Sequence, residues 1–146
     1  MPLHDKTIAF IGAGVMGEAM IKGILNEGLM QPENIYATDP HAERVNEVAQ
    51  VYGIHGTTDN LAAAEKADIL VLCVKPQVME RVLQQLHGKV SRCSLVVSIV
   101  AGIRLNTIAE TLLNGRVVRS MPNTPGQIGQ GITVWTALKD VEEAQR

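Results

Sequence analysis

A doubly wound α/β domain, with a mainly parallel sheet and helices on both faces, is the fold class that this sequence predicts. Three observations carry that expectation. Short β-branched and apolar runs alternate with amphipathic stretches along the chain. The first of these runs passes straight into a glycine-rich turn. Hydrophobic residues make up 46% of the chain and aromatics only 3%. The core must therefore be built from Ile, Leu, Val, Ala and Met, as in a parallel sheet covered on both faces. At 146 residues a single domain is expected, large enough to hold its own core.

The first strand is Thr7-Ile8-Ala9-Phe10-Ile11, and Gly12-Ala13-Gly14-Val15-Met16-Gly17 follows at once. An amphipathic helix then runs to about Glu27, with Gly28 as its left-handed stop. A strand that turns into a helix through G-x-G-x-x-G is the dinucleotide-binding fingerprint. In that pattern Gly12 makes the turn, Gly14 admits a pyrophosphate close to the backbone, and Gly17 lets helix and strand pack closely. The diphosphate would meet the unpaired N–H groups at the positive end of the helix. Glycines so spaced can also mark a tight turn with no ligand. The position after a strand and at a helix start is what favours the nucleotide.

Ile35-Tyr36-Ala37-Thr38 reads as the second strand, with Asp39 at its end, about 20 residues past the last glycine. An acid there accepts hydrogen bonds from the adenosine ribose. Asp39-Pro40 also reads as a cap and first residue of a helix running to Tyr52, and both roles can hold together. Ile54-His55 is a short third strand, and Asp59 or Asn60 caps an alanine-rich helix ending at Lys66. Asp68 to Val74 is continuously apolar after its first residue, as a strand buried on both faces should be. Lys75-Pro76 closes that strand, and Val78, Met79, Val82, Leu83 and Leu86 form the stripe of the next helix. Leu95–Ile99 is the fifth strand, Arg104–Leu113 a helix, and Arg116–Arg119 the sixth strand. Ile132–Trp135 is a seventh strand, and Leu138–Ala144 reads as the cap and first turns of another helix.

Ligands of doubly wound sheets bind outside the carboxyl ends of the strands. That edge should gather Gly12–Gly17, Thr38-Asp39, Val74-Lys75-Pro76, Val100-Ala101-Gly102 and Met121–Pro125. The loop from Ser120 to Gly126 carries two prolines around Asn123 and Thr124; it is either a stiff turn only or part of the site.

Other function classes fit poorly. A net charge of −2 offers no basic footprint for duplex DNA or an anionic membrane. Scarce aromatics leave no stacking platforms for single-stranded nucleic acid. Cys73 and Cys93 form no C-x-x-C pair, and Cys73 reads as a packing residue. The four histidines lack metal-ligand spacing and read as surface residues, so no metal is expected. The N-terminus has no apolar signal region, and no apolar run reaches membrane-spanning length. A cytoplasmic protein is expected.

Four stretches together resemble the N-terminal half of the pyrroline-5-carboxylate reductases: Ile8–Gly17, Val74-Lys75-Pro76, Ser98–Gly102 and, most specifically, Arg119-Ser120-Met121-Pro122-Asn123-Thr124-Pro125. The resemblance covers essentially the whole chain. It implies a Rossmann-type domain and reduction of 1-pyrroline-5-carboxylate, a small imino acid, to proline with NADPH or NADH, the last step of proline biosynthesis. It further implies that Val74, Lys75, Pro76, Ala101 and Gly102 border the cofactor's ribose and nicotinamide. Asn123, Thr124 and Pro125 would lie beside the nicotinamide and substrate.

The family also has a helical second domain that makes the dimer and holds the substrate carboxylate. This chain stops before it, so a fragment of a homo-oligomeric enzyme is expected, itself turning over little substrate. The face that domain would cover should be apolar, with Ile132, Val134 and Trp135 as candidates; Trp135 as an ordinary core residue is the alternative. NADPH-preferring members carry small polar or basic groups where Asp39 stands. Its charge leans the expectation towards NADH, although Arg44, one turn on, could offset it. No residue is an obvious proton donor, and catalytic residues stay unassigned. Two rival readings remain: another reductase of the β-hydroxyacid dehydrogenase or deazaflavin-dependent type, and a non-catalytic NAD(H)-sensing module.

Overall fold

The computed structural model of the chain describes residues 3–122 and 133–146. In chain order the elements are β1 (Ile8–Ile11), α1 (Val15–Asn26), β2 (Ile35–Thr38), α2 (Ala42–Tyr52), β3 (His55–Thr57) and α3 (Asn60–Lys66). There follow β4 (Ile69–Leu72), α4 (Pro76–Leu86), β5 (Leu95–Ser98), α5 (Leu105–Leu112), β6 (Val117–Pro122) and β7 (Thr133–Ala137). The strands form one sheet in the order β3-β2-β1-β4-β5-β6-β7. β1 to β6 are parallel, with Ile8 opposite both Ile35 and Ile69. This is the doubly wound class that the sequence predicts, and the order reverses at β1.

β7 alone runs antiparallel, Ser120 standing opposite Trp135. Only residues 123–132 separate it from β6, fewer than the dozen or more that a parallel crossover needs.

The period of two along each strand divides the core into two layers. Ala9, Ile11, Leu70, Leu72, Val96 and Val117 face one side, packing with Met79, Leu83 and Leu86 of α4 and Ile108 and Leu112 of α5. Ile8, Phe10, Ile69 and Val71 face the other, with Ile21 of α1 and Val48 of α2. β1 and β4 are buried throughout, as their unbroken apolar sequences require.

Three local expectations need correction. α2 begins at Ala42 with His41 as its cap, not at Pro40 behind Asp39. The Asp39 carboxylate instead accepts from the His41 backbone N–H at 2.9 Å, a two-residue turn that keeps Pro40 outside the helix. Leu138–Ala144 starts no α-helix. The Val141 N–H donates to the Leu138 carbonyl, Val141 enters the second core layer, and only a short 3-10 turn follows at Glu143–Gln145. Trp135 is no core residue: 49% of its surface is exposed. Ile132 lies outside the described residues. No helix among the described residues is long and apolar enough to cross a membrane.

Candidate functional site: the carboxyl edge of the sheet

The glycine loop leaves β1 with Gly12 at φ +108°, a conformation that L side chains rarely adopt. A Cβ there would also lie 2.7 Å from the Cys73 carbonyl oxygen. Gly17, one turn into α1, packs just as closely, since a Cβ would meet the Gly12 carbonyl oxygen at 2.7 Å. Gly14 differs. It is the exposed N-cap of α1 in ordinary extended backbone (φ −78°, ψ −170°), and a Cβ added there meets nothing within 4 Å. The fold needs glycine at 12 and 17 but sets no such demand at 14. No side chain caps α1, so its first N–H groups, around Val15, Met16 and Gly17, stay open for an anion. That is the cradle a dinucleotide's diphosphate requires, and these residues fit the group.

Two groups stiffen this loop. The Cys73 thiol donates to the Gly12 carbonyl at 3.0 Å, and burial pushes its pKa up to about 12, which makes it an inert packing group. On the other side, Arg44 Nε donates to the Ala13 carbonyl at 2.7 Å, and its terminal nitrogen pairs with Glu18 at 2.6 Å. The Tyr52 hydroxyl donates to the same carboxylate at 3.0 Å. The Arg44 hydrogen bond holds the Glu18 carboxyl below the usual carboxylate range. Arg44 therefore neutralises an acid beside the helix start. Both its Nε and one terminal nitrogen are already engaged.

Thr38 is fully buried at the end of β2. Its hydroxyl accepts from the Gly12 N–H at 3.3 Å and donates to Asn60 Oδ1 at 2.6 Å. Asn60 Nδ2 in turn donates to Gln85 Oε1 at 3.1 Å. This chain of bonds ties the glycine loop to α3 and α4. Asp39 receives both the N–H and the ring Nδ1 of His41 on one oxygen, Oδ1, each at 2.9 Å. Its Oδ2 has no partner among the described residues.

Gly12, Thr38 and Val74 meet in a cavity of about 410 Å³ that Pro40, Thr58, Asn60, Val78, Arg81, Val82 and Gln85 complete. Lys75 caps α4 and Pro76 is its first residue, both exposed at the same edge. Ala101 and Gly102, the latter at φ +80°, follow β5 on that edge but outside the cavity. Asn123, Thr124 and Pro125 lie outside the described residues. Sequence reasoning missed Asn60, Arg81 and Gln85. The available signal was periodic: Val78, Arg81, Val82 and Gln85 stand at i, i+3, i+4 and i+7 on one helix face. No group of His, Cys, Asp or Glu among the described residues could hold a metal ion.

The family described as NADP oxidoreductase, coenzyme F420-dependent, matches residues 7–102. A pyrroline-5-carboxylate reductase of Synechocystis is 39% identical over 138 residues, 94% of this chain and 51% of the relative. A solved pyrroline-5-carboxylate reductase from Coxiella burnetii superposes with a TM-score of 0.90 at 32% identity, covering 96% of this chain and 52% of that one. The Plasmodium falciparum enzyme, solved with NADP bound, gives 0.83 at 27%, covering 97% and 52%. The chain thus spans about half the length of the relatives it matches.

Proposed function

The chain belongs to the family described as NADP oxidoreductase, coenzyme F420-dependent, and from that premise we propose that it is the cofactor-binding half of a reductase acting on 1-pyrroline-5-carboxylate. The observation that carries the cofactor reading is the open cradle at Gly14, above an uncapped helix start. The substrate reading rests on the reductases that match almost all of this chain.

In this reading the backbone of Gly12, Ala13, Gly14, Val15, Met16 and Gly17 holds the diphosphate. Asp39 accepts from the adenosine ribose through its open Oδ2, with Thr38 supporting the loop beneath. Val74, Lys75 and Pro76 lie along the cofactor, Lys75 serving its ribose or phosphates. Ala101 and Gly102 border the nicotinamide, and Asn123, Thr124 and Pro125 border the reacting rings. When bound, a reduced nicotinamide supplies a hydride to the imine carbon. The protein's task is then orientation of the two rings and exclusion of water. NADH is the favoured cofactor, because Asp39 repels a 2′-phosphate and Arg44 is held by Glu18 and Ala13.

A helical domain that completes the substrate cage and makes a homo-oligomer, acting in the cytoplasm, finishes the proposal. A steady-state assay on the intact protein that carries this chain tests it. NADH consumption dependent on 1-pyrroline-5-carboxylate is expected. Oxidation of a β-hydroxy acid without any reduction of the imine would assign the chain to another reductase class instead.

A further inference from the structure

We propose that Arg81 is the platform on which the adenine base of the dinucleotide stacks, an inference that rests on the cofactor reading above. The cavity beside Gly12 has apolar walls, Pro40, Val74, Val78 and Val82. Three of its polar lining side chains are bonded to one another: Thr38 donates to Asn60, and Asn60 to Gln85. A slot with largely apolar walls, whose deepest polar groups are bonded to one another, takes a flat, weakly polar ring better than a charged group.

Such a ring needs a planar partner, and no aromatic side chain lines this slot. Arg81 does. It follows Val78 by one turn of α4 and shares its face with Val82 and Gln85. It is exposed, and no ion pair or hydrogen bond engages it among the described residues. Three other arginines are tied down: Arg44 to Glu18 and Ala13, Arg92 to Glu65, Arg116 to Ser91 and Cys93; Arg119, whose buried Nε has no partner, does not line this slot. A free guanidinium at the rim of an apolar slot can lie flat on a base, combining stacking with cation–π attraction. Two acids flank the slot, Asp39 between the lining residues Thr38 and Pro40, and Asp59 between Thr58 and Asn60, and they disfavour the alternative of a 2′-phosphate held beside Arg81.

Titrations of the intact protein with NADH, NADPH and reduced nicotinamide mononucleotide, which lacks adenosine, decide the matter. Arg81→Ala should weaken NADH and NADPH by the same factor, about tenfold, and leave the mononucleotide unchanged. Arg81→Phe should restore most of the loss, and Arg81→Lys should not. A loss confined to NADPH and rescued by Lys would make Arg81 a phosphate ligand and overturn the proposal. Unchanged affinity for both dinucleotides in Arg81→Ala would overturn it as well, leaving the cofactor reading intact. A wild-type protein that binds neither dinucleotide would remove the cofactor reading and this inference with it.

Discussion

The three glycines of the loop look equivalent in the sequence and are not equivalent in the fold. Gly12 and Gly17 are demanded by the neighbouring backbone, each leaving a Cβ 2.7 Å from a carbonyl oxygen. Gly14 has no neighbour within 4 Å of a Cβ to demand it, and in the proposed reading it is the diphosphate that needs the bare backbone there. Asp39 is a second residue whose role the structure sharpens. Its cap role is gone, since His41 caps α2, and one of its oxygens remains open. Asp39→Ser should therefore cost NADH affinity about 1.5–3 kcal/mol, through loss of ribose hydrogen bonds to a charged acceptor, and should shift preference towards NADPH. Competing titrations of the two cofactors check this; equal affinities in the wild type would reduce Asp39 to a turn residue. Residue types and spacing made both positions legible. Arg81 and Asn60 were not, because their relevance depends on which face of α3 and α4 meets the edge of β1 and β2, a tertiary fact. The pairing of Arg44 was not legible for the same reason: Glu18 lies 26 positions away in sequence but 2.6 Å away in space.

Among the elements, strands β1, β2, β4 and β5 were readable almost to the residue because continuous apolar runs leave a buried strand little alternative. Helix ends followed wherever a glycine could take the left-handed position, as Gly28 and Gly53 do. α5 shows what happens without one. Its C-cap, Leu113, adopts φ +55° and is 61% exposed. An L side chain is strained there by roughly 1–2 kcal/mol, partly offset in a glycine variant by the entropy of the unfolded chain. Leu113→Gly should thus raise stability by about 0.5–1 kcal/mol, visible as a higher urea midpoint, whereas Leu113→Ala should gain nothing. A lower midpoint for the glycine variant would show that the exposed leucine contributes more by packing over Gly88 than its backbone loses. The segment after β7 escaped the sequence reading because Val141 is drawn into the core, which breaks the helical phase that its charged neighbours suggest.

At the scale of the whole molecule, the fold gathers onto one sheet edge groups that the sequence spreads from Gly12 to Gly102, and the reversal of strand order at β1 opens the crevice between them. At one boundary of the sheet, β7 carries Trp135 with 49% of its surface exposed. The central proposal concerns the crevice: the bare backbone at Gly14 is what admits the dinucleotide's diphosphate. Calorimetric titration of NADH into the intact protein, wild type and Gly14→Val, tests it most directly. Valine suits the extended backbone at this position and meets no neighbour, so the variant should unfold at the wild-type temperature. Its NADH affinity should nevertheless fall at least tenfold, about 1.4 kcal/mol, as the branched side chain fills the space meant for the diphosphate. A folded Gly14→Val protein that binds NADH as tightly as the wild type would contradict the account.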